Sequence, residues 1–110
     1  MTRNPRPVLI LCLVALLASV ALAAKDKGET HTVSMKDKKY APASLTIKAG
    51  ETVVWTNNDE HDHTVVADDK SFKSGNIGTG DSFRHQFDKK GTFTYSCSYH
   101  PRMKGTITVE

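Results

Sequence analysis

Apolar residues recur at every second position, in short runs, through most of this chain after its first 30 residues. Val33 and Met35, Leu45 and Ile47, Val53 and Trp55, and Val65 and Ala67 follow this period. So do Phe83, His85 and Phe87; Phe93, Tyr95 and Cys97; and Ile107 and Val109. Successive side chains of an extended strand point to opposite faces, so each run coats one face of a sheet and leaves the other to water. Turn formers punctuate the runs at Ala49-Gly50-Glu51, Asn57 to Asp59, Gly75 to Gly80, Lys89-Lys90-Gly91 and Gly105. No segment carries a helical stripe. The pattern predicts an all-β domain, an antiparallel Greek-key sandwich or barrel of about seven or eight strands, with Trp55, Phe83, Phe87 and Phe93 in its core.

The first residues follow a different rule. Arg3 and Arg6 precede an apolar run from Val8 to Leu22 that ends in Ala21-Leu22-Ala23, the layout of a Sec-type secretory leader cut after Ala23. The run is shorter than the ~20 residues a spanning helix needs, so no membrane insertion is expected once the leader is gone. Residues 1–23 are therefore read as leader and 24–110 as one domain, too short to hold two separate cores. Two of the 15 Lys and Arg leave with the leader, so 13 remain against 12 acids and the exported chain is close to neutral. Its lysines are interspersed with acids, which excludes a nucleic-acid-binding stripe. Cys12 also leaves, making Cys97 the sole thiol of an exported domain. It has no internal disulfide partner, and is left as a free thiol, an intermolecular bridge or a metal ligand.

The neighbours of Cys97 choose among these. Cys97-x2-His100-x2-Met103 puts a thiolate, an imidazole and a thioether on one short loop after a strand. Two imidazoles and a thiolate with a long axial thioether are the donor set of a type 1, or blue, copper centre. Zinc also suits two His and one Cys, but a thioether is foreign to it. A second imidazole must come from elsewhere, and Glu60-His61-Asp62-His63 offers two. His63 is preferred because it opens the segment Thr64-Val65-Val66-Ala67, read as a strand, while His61 reads as a solvated loop residue. His31 and His85 read as surface or half-buried strand residues, and the pairs Asp59-Glu60 and Asp68-Asp69 as solvated turn charges. No nucleophile elbow, catalytic carboxylate pair or phosphate-cradling glycine loop is present, so the chain is not expected to be an enzyme.

These features resemble the cupredoxin family of small blue copper proteins, and the C-x2-H-x2-M loop resembles its amicyanin-like branch; plastocyanin and pseudoazurin carry a longer His-to-Met gap. The likeness runs from Tyr40-Ala41-Pro42 through Trp55-Thr56-Asn57-Asn58-Asp59, His63-Thr64-Val65 and Phe87-Asp88-Lys89-Lys90-Gly91 to the ligand loop. It implies one copper ion on His63, Cys97, His100 and Met103, shuttling between Cu(I) and Cu(II). It further implies a periplasmic monomer that meets redox partners transiently, a c-type cytochrome or a dehydrogenase or oxidase, with His100 as the more exposed imidazole. A copper-handling protein for storage, delivery or sensing is the alternative for the same ligands. Three positions depart from the family pattern: Asp62 replaces a frequent Pro, Arg102 a Phe, and Thr64 an Asn that braces the ligand loop. The Thr64 hydroxyl is expected to substitute in part for that brace.

Overall fold

The computed structural model describes residues 28–110; the proposed leader, its cleavage point and Cys12 lie outside the described residues. Eight strands form: β1 (Thr30–Lys36), β2 (Lys39–Ala41), β3 (Ser44–Ile47), β4 (Glu51–Asn57), β5 (Val66–Ala67), β6 (Ser82–Phe87), β7 (Gly91–Ser96) and β8 (Lys104–Val109). They make two four-stranded sheets, ordered β2-β1-β4-β6 and β3-β8-β7-β5. No helix occurs among the described residues, as the absence of a helical stripe predicts.

The expected alternation is realised most fully in β4, where burial alternates residue by residue from Glu51 to Asn57. Val53 and Trp55 face inward and are fully buried. Trp55 packs edge-on against Tyr95 of the opposite sheet, ring centroids 5.4 Å apart, and lies 5.7 Å from Phe83 and 6.4 Å from Phe87. This aromatic layer is the seam between the sheets, and burial of such rings is the main force holding them together. Burial also raises the Tyr95 phenol to about 12, so its hydroxyl stays neutral.

Three local readings change in three dimensions. The sheets are mixed: β1 runs parallel to β4, with Thr30 opposite Thr52 and Met35 opposite Asn57, and β3 runs parallel to β8. Alternation reports which face is buried but carries no strand direction, and here the chain crosses between sheets before β3 and again before β4, returning in its original direction. Next, β2 escaped notice because only Tyr40 of its three residues is buried. It pairs with β1 through a two-residue turn in which Asp37 and Lys38 both have positive φ, 54° and 58°. That is the hairpin turn whose twist matches the strands, built without glycine. Last, Gly105 lies inside β8 rather than in a turn, opposite Tyr95. A Cβ there would overlap the Tyr95 ring, so the glycine makes room for a core aromatic.

The inward-facing end residues of β4 are polar, and each ties a pole of the sandwich. Glu51 accepts the backbone N–H of Lys48 (2.9 Å) and of Glu29 (3.2 Å) and contacts His31 Nε2 at 2.8 Å. Asn57, at the other end, donates to the carbonyls of His61 (2.8 Å) and Ile77 (2.9 Å) and accepts the N–H of Asp59 (2.8 Å). His85 rests on Phe72, centroids 4.9 Å apart, and its burial lowers its pKa.

Two outcomes are expected. Gly105→Ala should lower stability by about 1–3 kcal/mol, the usual cost of overpacking, read as a lower urea midpoint with an unchanged slope. The Lys48 N–H first, then the His31 ring, hold the Glu51 carboxyl down at about 2, below its ordinary 4.5. Its contribution is therefore present above pH 4.5 and is lost as pH falls from there towards about 2. Glu51→Gln should be less stable than the parent at pH 6 and show a shallower acid loss over that window.

Candidate metal centre

Asn57 gathers the β4–β5 and β5–β6 loops at one pole of the sandwich, and the Cys97 to Met103 loop closes over the same pole. Cys97 directly follows β7, and its N–H donates to the Met103 carbonyl (3.1 Å), while the Met103 N–H donates to the His100 carbonyl (2.8 Å). The two bonds fold the loop back on itself and bring Met103, just ahead of β8, alongside Cys97. Both side chains are buried, and His100 between them is half-exposed.

His63 is also fully buried, but it is not held as expected. Only Val66–Ala67 of the anticipated strand forms. The N–H groups just before it go to side chains instead: Thr64 N–H to Cys97 Sγ (3.4 Å) and Val65 N–H to Ser74 Oγ (2.8 Å). His63 is fixed by a reciprocal backbone pair with Ile77, 3.1 and 2.8 Å. The outcome is the rigid placement expected of it, through a different partner.

The structure brings His63, Cys97 and His100 together, with their donor atoms all within 4.8 Å of one another. Cys97 Sγ lies 3.7 Å from His63 Nδ1 and 3.8 Å from His100 Nδ1. An ion about 2.3 Å from sulfur and about 2.0 Å from nitrogen, with a trigonal angle between them, separates its donors by about 3.7 Å. Both sulfur-to-nitrogen distances therefore fit a thiolate- and imidazole-bound ion. His61 is not in this group; it is exposed, its ring centroid 6.0 Å from that of His100. A second group, Glu29, His31 and Glu51, also brings its donors within 4.8 Å, but it occupies the opposite pole, and Glu51 there is committed to backbone N–H groups and His31.

Asp59 is the site residue that sequence reasoning missed. Read as a solvated turn charge, it is buried, and its Oδ2 accepts both the Lys38 N–H and the His63 Nε2–H, each at 2.9 Å. Those two donors, the imidazole foremost, hold its carboxyl well below the usual range. An ionised carboxylate can only accept, so the proton sits on Nε2 and the Nδ1 lone pair faces Cys97. The available signal was the four-residue spacing from Asp59 to His63. Glu60, Asp68 and Asp69 are exposed, as expected.

The hydroxyl of Thr64 performs the expected bracing. It accepts the Ser98 N–H at 2.8 Å and reaches Ser98 Oγ at 3.2 Å, tying the loop after Cys97 to the segment after His63. Asp62, exposed, accepts only a long bond of 3.3 Å from Asn76. Arg102 is exposed beside His100. His100 is shifted to a lower pKa, chiefly by desolvation and then by the neighbouring His63, Lys38 and His61, which favours the neutral ring a metal requires.

Known proteins resemble this chain in sequence and fold. The family model for the Cupredoxin-like domain matches residues 8–109. An amicyanin of Paracoccus versutus is 34% identical over 99 residues, 80% of this chain and 70% of the relative. A plastocyanin of Scenedesmus fuscus is 40% identical over 84 residues, 64% of this chain and 86% of the relative. Among solved structures, a purple cupredoxin from Nitrosopumilus maritimus superposes with a TM-score of 0.70 at 32% identity, covering 73% of this chain and 99% of its own. A point mutant of amicyanin in its reduced state gives a TM-score of 0.69 at 30% identity, over 74% of this chain and 82% of its own. With the family model spanning nearly the whole chain and relatives of the same fold on every side, this chain belongs to the cupredoxin-like family.

Proposed function

We propose that the chain is an exported single-electron carrier, with one type 1 copper ion held by His63, Cys97, His100 and Met103. The observation that carries this reading is the buried Cys97 sulfur at 3.7 and 3.8 Å from two imidazole nitrogens, with a buried thioether on the same loop. Copper, when bound, supplies reversible exchange between Cu(II) and Cu(I). The chain supplies the placement. Asp59 fixes the His63 tautomer, the His63–Ile77 pair fixes its backbone, and Thr64 ties its loop to that of Cys97. Donors braced in this way would need little movement when the charge of the centre changes, and the Met103 thioether would be the weak donor that helps set the potential.

His100 is the one half-exposed donor, so the electron leaves through it to a partner held in a small, transient interface. The relatives named amicyanin and plastocyanin are electron carriers rather than enzymes, and the same role is assigned here. The partner is taken to be a c-type cytochrome or a dehydrogenase or oxidase, met in the periplasm by a monomer. The leader-like residues 1–23 support export.

The copper(II)-loaded protein should be intensely blue from thiolate-to-copper charge transfer and should exchange one electron reversibly with a c-type cytochrome. Cys97→Ser should bind copper without the colour. A colourless parent complex, or one that hands its ion to a metal-free acceptor and exchanges no electrons, would replace this reading with copper handling.

Asp59→Ala should weaken copper binding about 10- to 100-fold, measured by chelator competition, because the His63 Nε2–H loses its acceptor. Asp59→Asn keeps an acceptor oxygen and should lose less.

A further inference from the structure

The mouth of the site gathers three cations, whereas residues 28–110 together hold 11 Lys and Arg against 11 Asp and Glu. Lys38, in the β1–β2 turn, and Lys39, at the start of β2, line the same open hollow as Arg102, His100 and Met103, and no carboxylate lines it. More than 60 residues separate the lysines from the arginine in sequence, so only folding joins them. The ion pairs among the described residues all use His31 or His63, leaving these three cations without a carboxylate partner there. Tyr99 also lines the hollow and, at 51% exposure, is the large hydrophobic residue most open to solvent among the described residues. Its hydroxyl is tied to Asn76 Oδ1 at 2.7 Å, which fixes the ring beside His100.

The backbone that carries the lysines is also held. Their turn is closed by the Lys38 N–H to Asp59 bond of 2.9 Å, made by the carboxylate that orients His63. An exposed aromatic beside His100, rimmed by three cations while the charges of residues 28–110 balance overall, is built for a partner of opposite sign.

We propose that this mouth docks an acidic redox protein, steered by Lys38, Lys39 and Arg102 onto Tyr99 and His100. The redox part rests on the electron-carrier reading; the docking part stands on the charge pattern alone. Steering of this kind raises association rates at low salt and excludes basic partners by repulsion.

The test compares the copper-loaded protein with a rim variant, Lys38→Asn/Lys39→Gln/Arg102→Gln, and a control, Lys48→Gln/Lys89→Gln/Lys90→Gln, that removes the same charge from the opposite pole. Asn is used at 38 because it tolerates a positive φ. Electron transfer with a net-negative c-type cytochrome, followed by stopped flow, should slow about tenfold or more in the rim variant at low ionic strength and converge with the parent at high salt. The control should retain most of the parent rate, and a net-positive cytochrome should react no more slowly with the rim variant than with the parent.

In a parallel titration of the Cu(I)-loaded protein with the reduced acidic cytochrome, no electron can move. The amide signals of Lys38, Lys39, Tyr99 and Arg102 should shift, and those of Lys89 and Lys90 should not. Equal slowing of rim and control variants, or shifts at the opposite pole, would overturn the proposal. A protein that passes no electrons but shows the expected shifts would keep the docking face and remove the carrier reading.

Discussion

Nearly everything at the metal pole depends on the Asp59 carboxylate. His63 can turn Nδ1 towards Cys97 only if its other nitrogen has a fixed acceptor, and Asp59 Oδ2 provides one at 2.9 Å. The same oxygen takes the N–H of Lys38 in a turn whose two central residues lack glycine's freedom at positive φ. One buried group thus sets the tautomer of a donor and the position of the rim beside it. Burying a carboxylate is costly unless its oxygens are satisfied. Here the Lys38 and Glu60 N–H groups and the His63 ring satisfy them.

Strand β4 carries that arrangement. Its middle residues, Val53 and Trp55, supply the apolar seam, while its inward-facing ends supply Glu51 at one pole and Asn57 at the other. Each end residue satisfies loop groups that would otherwise be buried without partners. The two poles use similar chemistry for different ends. The Glu51 cluster is closed on itself and holds the start of β1 against β4. Beside the Asn57 cluster two imidazole nitrogens and a thiol lie within 4.8 Å of one another, with the buried Met103 on the same loop.

Thr64 shows how such a site accommodates an altered brace. Its backbone N–H reaches the Cys97 sulfur and its hydroxyl reaches Ser98, so one residue touches both sides of the junction between the two donor loops. Those contacts are also the reason β5 is short. Backbone donors directed at sulfur and hydroxyl cannot also pair in a ladder. The loss of regular strand is a local consequence of building the site.

The strand runs, the buried aromatics and the C-x2-H-x2-M donors were legible in the sequence because each is a local pattern: a period of two, or a loop too short to separate its ligands. His63 was legible as the residue that opens the segment Thr64 to Ala67, although only Val66–Ala67 of that segment is strand. Strand direction was not, since parallel and antiparallel pairing bury the same alternate residues. Nor was the acceptor role of Asp59, which needs the β1–β2 turn and His63 brought to the same point. The sequence by itself therefore determined the layer architecture and marked out His63, Cys97 and His100, which the fold brings together. Only the tertiary structure decided which carboxylate orients the first imidazole and which cations surround the second, because both are contacts between segments that are distant along the chain.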